Sequence, residues 1–374
     1  MYIKKTLYAC SSVYQVMLSL MKAMTQDEIV DLVLEEHGVP NGWTLMKTIT
    51  ENIPEVDRVY FLPNSLSVDP YLQREASFWP RQRSAVVRHI HKTLGPNFDA
   101  GAYKERNIYW DLGYIGTYLN IRGIDYRLLE DSLNSYQHIK NNRPNYSYIF
   151  SADRRVFKRK KNLRLGVIPF GYSPYCTEIE VNCKEDLEIP TYKVVEVPRA
   201  EIEAKLTEEQ KQRLFRVFMP DVDWKHHSLY EKGENAGGSL QNGEQRDIRS
   251  GETEGAAGEE KLPVLLLTEP FAITGRLPDE EAQVRMYRDI LEQTAGDHRV
   301  FIKPHPRDIV NYSHYFPGAV ILHKDVPTEI LNFDPDFRFS RAVTVTSTAI
   351  QNIAGAEEKI ALGADFWRKY VKNE

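Results

Sequence analysis

The sequence predicts an α/β fold built on two parallel sheets, and three observations carry that prediction. Short β-prone apolar runs alternate with runs of helical period through both halves of the chain. A buried strand opens abruptly at Leu262-Pro263-Val264-Leu265-Leu266-Leu267-Thr268, so the pattern starts a second time. The length, 374 residues, exceeds what one hydrophobic core usually organises, and two domains of roughly 150 residues are the natural division.

Along the first half, Lys4 to Cys10 reads as a strand, followed by Ser11 or Ser12 as N-cap of an amphipathic run through Met24. Ile29 to Leu34 is a strand, Gly42 to Ile53 a helix, Asp57 to Leu62 a strand and Arg81 to Leu94 a helix. Asn107 to Leu112, Tyr114 to Arg122 and Tyr126 to Leu129 continue the alternation, which suits an open parallel sheet covered on both faces. The very basic run 154–164 reads as a solvated linker between lobes, with attraction to anionic lipid headgroups as the sharper alternative. Leu206 to Phe218 is a helix in which Thr207 caps a Glu-Glu-Gln first turn. Residues 233–260 lack apolar periodicity and have the composition of a disordered insertion.

After Leu262 to Thr268, the expected elements are a helix from Asp279 to Gln293 and strands from Val300 to Lys303 and Ala319 to His323. A short helix at Thr328 to Phe333, a strand at Ala342 to Val345 and a helix opening at Ser347 to Ala354 complete the second lobe. Asp365 to Lys372 reads as a helical tail that packs back on the first lobe. The expected division is a Rossmann-like N-terminal domain at 1–155, a C-terminal domain at 156–355 and the tail at 356–374. Two Rossmann-like lobes facing a central cleft make the architecture called GT-B in sugar-nucleotide enzymes.

Composition narrows the setting. The 48 Lys and Arg against 53 Asp and Glu argue against general binding to a nucleic acid, so any anion site must be local. Three cysteines, Cys10, Cys176 and Cys183, with no zinc-like spacing, point to a reducing compartment without a disulfide framework. The N-terminal apolar run is broken by Ser11, Ser12, Tyr14 and Gln15, which makes it a poor secretory signal. A cytoplasmic protein is expected, with peripheral contact at the inner face of the membrane as an added expectation.

The sharpest cluster is Lys303-Pro304-His305-Pro306-Arg307-Asp308, directly after an expected strand. Two prolines restrict the backbone on either side of His305. A fixed imidazole between Lys303 and Arg307 suits a leaving phosphate, to which it gives a hydrogen bond or a proton. The bland alternative is a satisfied loop histidine among surface cations. Thr346-Ser347-Thr348 stands between a strand and an apolar helix opening, where hydroxyls either cap the helix or help receive a phosphate. Glu329 either favours the dipole of a short helix or accepts ribose hydroxyls. Glu130 and Asp131 end an expected strand on opposite faces, so one acts and the other supports. Asp131 is the candidate base for an acceptor hydroxyl, with helix capping as its alternative. A base in one lobe and phosphate binders in the other imply that closure assembles the site.

The order Glu-Asp, Ser-Tyr, Lys-Pro-His-Pro, Pro-x-Glu and Ser-Thr resembles the bacterial sialyltransferases of glycosyltransferase family 52, relatives of the polysialyltransferase-like group. The resemblance implies a GT-B fold and inverting transfer of sialic acid from CMP-sialic acid to a surface glycan, with no metal or other cofactor. It makes Asp131 the general base, supported by Glu130, and His305 the acid or phosphate donor. Lys303, Pro306, Glu329, Ser347 and Thr348 become donor-binding residues, with Glu329 on the ribose and Arg307 in support. One position departs: Ser132 follows the acidic pair where the family pattern has Gly. Asp221-Val222-Asp223 and Asp334-Pro335-Asp336 match a metal-nucleotide triplet, but such triplets are common by chance. Two other readings stay open: a GT-B transferase using another activated donor for surface polymer, and a catalytically silent glycan- or nucleotide-binding protein.

Overall fold

The computed structural model describes residues 3–26, 28–36, 39, 42–63, 80–111, 113–131, 136, 170–185, 187, 189, 191–220, 261–333 and 337–371. The chain divides into two units, Met1–Pro220 with Asp325–Phe333, and Asp221–Lys324 with Asp334–Glu374.

In the first unit, β1 (Ile3–Cys10) is an interior strand, and its Leu7 to Cys10 stretch is buried, as a parallel strand covered on both faces should be. It pairs on one side with β2 (Val30–Glu35), which pairs with β3 (Val56–Leu62). On the other side follow β4 (Tyr103–Ile108), β5 (Tyr126–Leu129), β6 (Cys176–Val181) and β7 (Val194–Glu196). Among the described residues the order is β3-β2-β1-β4-β5-β6-β7, with every pairing parallel. The helices between strands are α1 (Val13–Gln26), α2 (Gly42–Asn52), α3 (Pro80–Leu94) and α4 (Tyr114–Arg122). Ser12 starts α1, its Oγ accepting from the Gln15 amide at 3.3 Å, and Gly123 stops α4 in the left-handed region at φ 68°.

The first unit runs on to Pro220, past the boundary expected at 155, because β6 and β7 extend the first sheet beyond β5. The alternating charges of β6, Cys-Thr-Glu-Ile-Glu-Val, and the three-residue length of β7 gave these strands no apolar signature. Two helices follow, α5 (Arg199–Ala204) and α6 (Glu208–Phe218). The expected cap on α6 is a full capping box between Thr207 and Gln210.

In the second unit β8 (Val264–Leu267) is central and wholly buried. With β9 (Val300–Lys303), β10 (Val320–Ile321), β11 (Phe339–Thr344) and β12 (Ala356–Ala361) it forms a parallel sheet of order β10-β9-β8-β11-β12. The helices are α7 (Glu280–Thr294), capped by the Asp279 carboxylate on the Ala282 amide at 2.7 Å, α8 (Tyr312–Tyr315) and α9 (Ala364–Arg368). The tail carrying α9 packs on this unit's own core. Phe366, Trp367 and Tyr370 present an aromatic side to it, the Trp367 ring lies 5.8 Å from that of Phe271, and the Tyr370 hydroxyl donates to Asp289 at 2.6 Å. The expected helix opening at Ser347 is a short 3-10 turn, Thr348–Asn352, which leads directly into the unforeseen strand β12.

Strand order reverses between β1 and β4 in the first sheet and between β8 and β11 in the second. In open parallel sheets ligands bind beyond the carboxyl ends of the strands at such points. The basic run 154–164, the insertion 233–260, Ser132 and both Asp triplets lie outside the described residues. No helix of the described residues is long and apolar enough to cross a membrane.

Candidate functional site

At the switch point of the second sheet lies a pocket of about 280 Å³. Its walls come from the carboxyl end of β8 (Glu269 to Phe271, Thr274, Arg276), the loop after β9 (His305, Arg307) and the turn after β11 (Thr346 to Thr348). Three segments far apart in sequence therefore meet because their strands are neighbours.

The loop after β9 is pinned from beneath. The His305 carbonyl accepts from the Asp308 amide at 2.8 Å, closing a turn through Pro306 and Arg307. Buried Asp308 accepts from the hydroxyls of Tyr312 (2.7 Å) and Thr268 (3.0 Å), the Gln283 side chain (3.0 Å) and the Val310 amide (3.2 Å). Thr268 Oγ1 in turn accepts from the His305 amide at 3.2 Å. Lys303 is buried, and its ammonium donates to the carbonyls of Pro304 (2.8 Å) and Lys324 (2.9 Å), so it braces the loop. Neither Lys303 nor Pro306 is among the residues lining the pocket.

His305 itself is half-buried, and its Nδ1 accepts from the Arg307 amide at 3.0 Å. A ring nitrogen that accepts carries no proton, so the neutral ring holds its proton on Nε2. Burial pushes the imidazole down to about 4, and the Arg307 and Lys303 cations push the same way. Near neutral pH the group is an uncharged N–H donor at the pocket wall.

The turn after β11 is held by Glu269. Its Oε1 accepts from the amides of Thr346 (2.6 Å) and Ser347 (3.0 Å), and its Oε2 accepts from the Thr346 hydroxyl. Tyr287 fixes the Glu269 backbone, accepting from its amide at 2.6 Å and donating to its carbonyl at 3.1 Å. Ser347 Oγ accepts from the Ala349 amide at 3.3 Å, the capping role, while Thr348 is exposed at the pocket.

The acidic pair stands at the carboxyl end of β5 in the first unit. Glu130 is buried, accepting from the amides of Asn182 (2.8 Å) and Tyr136 (3.3 Å), and so ties β5 to the end of β6. Asp131 is open to solvent and accepts from the side-chain amide of Gln15, in the first turn of α1. The protein around Asp131 pushes its carboxyl above the ordinary range, and the Gln15 hydrogen bond opposes that push. Nearby, buried Glu35 accepts from the Ile115 amide (3.0 Å) and the Ser11 hydroxyl (3.1 Å). A Cβ on Gly113 would come within 2.7 Å of that carboxylate, which would have to shift to admit it.

Glu329 is buried on a 3-10 turn, Thr328–Phe333, that belongs to the first unit although its chain neighbours belong to the second. Its charge is felt by Tyr14 and Glu203, whose ionisations burial already pushes upward. It does not line the His305 pocket. Among the described residues no group of three His, Cys, Asp or Glu side chains is arranged to hold a metal ion.

No family model matches the sequence. An uncharacterised protein of Haemophilus influenzae is 32% identical over 87 residues, which are 23% of this chain and 28% of that protein's length. Among solved structures, the α/β-galactoside α-2,3-sialyltransferase of Photobacterium phosphoreum is similar at a TM-score of 0.52 and 11% identity, over 96% of this chain and 91% of that one. The GT-B domain of a Photobacterium damselae sialyltransferase gives 0.48 and 12%, over 95% and 89%. The fold is of the GT-B type.

Within that GT-B fold, sequence reasoning named His305, Arg307, Ser347 and Thr348, which the structure gathers at one pocket. It missed Glu269 and Arg276 there, and Gln15 beside Asp131. Position was the available signal: Glu269 follows the apolar run of β8, and Gln15 is a polar residue in the first turn of a helix that opens just after β1.

Proposed function

We propose that this protein is an inverting glycosyltransferase that moves sialic acid from CMP-sialic acid to a cell-surface glycan. The observation that carries the reading is the pocket at the β8/β11 switch point, where His305 offers a neutral Nε2–H beside Arg276, Arg307 and the hydroxyl-bearing Ser347 and Thr348. Such donors suit the charge that develops on a phosphate oxygen as a glycosyl bond breaks. The departing CMP takes its hydrogen bond from His305 as an uncharged donor, and the two arginines meet its charge without a metal ion. Asp131, solvent-accessible and held by Gln15, takes the proton from the acceptor hydroxyl, with Glu130 fixing the strand end behind it. Glu329 takes the ribose hydroxyls, and Lys303 and Pro306 act through the shape of the loop. The fold shared with an α-2,3-sialyltransferase is in keeping with this choice of donor. The reaction belongs in the cytoplasm at the inner face of the membrane, where surface glycans are assembled.

The test is a donor screen with mass detection on simple galactosides, offering CMP-sialic acid alongside UDP-, GDP- and CDP-activated sugars. Transfer from CMP-sialic acid is expected. Transfer from a diphosphate donor instead would replace this reading with that of another GT-B transferase.

A further inference from the structure

The Glu269 carboxylate is an unexpected occupant of a pocket that otherwise offers cations and N–H donors. It is 7% exposed, stands at the carboxyl end of the central strand β8, and lines the pocket with Arg276, Arg307 and His305. Its oxygens receive the amides of Thr346 and Ser347 and the Thr346 hydroxyl, and Thr344 Oγ1 adds a contact at 3.2 Å. This acceptor-only role is that of an ionised carboxylate. Two consequences follow. The backbone amides of Thr346 and Ser347, which a ligand phosphate would otherwise claim, are already taken. The lining also carries a fixed negative charge against two arginines, a net of one positive charge with His305 neutral.

We propose that Glu269 is the specificity determinant that restricts this pocket to leaving groups bearing a single phosphate. The inference rests on the reading of the pocket as a nucleotide-phosphate site and names what that site discriminates. One phosphodiester matches the net charge of the lining. A second phosphate would add negative charge beside a carboxylate that cannot move without abandoning its donors, and it would find the turn's amides occupied. Discrimination against a ligand by an unfavourable charge is a common route to specificity. A unit charge at about 8 Å in a dielectric of about 40, between protein surface and bulk water, changes affinity about fivefold.

Glu269→Gln separates charge from shape. The Gln carbonyl can keep both amides, and its NH₂ can donate to Thr346 Oγ1, whose hydroxyl rotates to accept. The full-length chain and E269Q would be titrated calorimetrically with CMP and with CDP. The wild type should bind CMP more tightly than CDP, and E269Q should narrow that ratio about fivefold by gaining CDP affinity. An E269Q ratio equal to the wild type's would overturn the inference while leaving the nucleotide site standing. Tighter CDP binding by the wild type, which needs no variant to fold, would overturn this inference and the sialyltransferase reading together. Binding of neither nucleotide would remove the site itself.

Discussion

The Arg307 backbone amide donates to Nδ1 of His305 at 3.0 Å, and that one bond fixes which ring nitrogen carries the proton. A deprotonated Nδ1 leaves Nε2–H as the donor, and the downward push on the imidazole keeps it in that state through the neutral range. His305→Ala should therefore lower turnover by about two orders of magnitude, the usual scale for a lost transition-state donor. His305→Gln, which places an amide N–H near the same point, should recover part of the loss. Steady-state rates with CMP-sialic acid check both, and a folded His305→Ala protein with wild-type turnover would remove the assigned role.

Asp131, with Gln15 beside it, is the base of the proposed reaction. Their hydrogen bond opposes the upward push that the surrounding protein exerts on the carboxyl. Gln15→Ala should move the acid limb of the pH–rate profile to higher pH, since the base then holds its proton more tightly. Asp131→Asn should cost about 100-fold or more in turnover. It should leave CMP affinity near that of the wild type, because no atom of Asp131 lines the second unit's pocket. A profile unmoved in Gln15→Ala would mean that the limb reports another group.

The parts of this fold that were legible in the sequence are those that hold adjacent bulky apolar residues. The strands at Lys4 to Cys10, Tyr126 to Leu129 and Val300 to Lys303 fall within or on the observed ones, as does the helix at Tyr114 to Arg122. The strands β6 and β12, Cys-Thr-Glu-Ile-Glu-Val and Ala-Glu-Glu-Lys-Ile-Ala, escaped because charged residues interrupt them, and the first unit therefore runs further along the chain than expected. In the site, His305 was legible because prolines flank it. Glu269 was not, because a carboxylate after a buried strand says nothing until the strand order reveals a switch point there. Lys303 was legible as a cation, but its use on two carbonyls depends on Lys324, twenty-one residues away.

Asp308 is the anchor beneath the Pro-His-Pro loop, with four hydrogen-bonding groups converging on a buried carboxylate. Asp308→Ala would strand Thr268, Gln283, Tyr312 and the Val310 amide without that acceptor. A loss of about 2–4 kcal/mol in the second unit's stability is expected, from unsatisfied buried polar groups. Hydrogen exchange of the β8 and β9 amides would read that unit specifically. Protection unchanged from the wild type would show that water or rearranged side chains replace the carboxylate at no cost.

Asp111 gives a prediction of opposite sign to that of His305. Its buried carboxyl accepts from the amides of Phe170 (3.2 Å) and Gly171 (3.0 Å), yet burial outweighs those bonds and raises it to about 6 from an ordinary 3.8. The folded state thus binds this proton more tightly than the unfolded chain does. Stability from this group is fully present below about pH 4 and is lost as pH rises through about 6, by up to about 3 kcal/mol. His305, lowered from 6.5 to about 4, adds stability as pH rises through the same window, because there the unfolded chain binds the extra proton. The two slopes oppose each other in the whole chain but belong to different units. Asp111→Asn should make stability rise more steeply from pH 4 to 6.5 than in the wild type, and His305→Gln should make it fall. Urea unfolding of the three proteins across that range gives the slopes, and parallel curves for Asp111→Asn and wild type would mean that Asp111 does not titrate there.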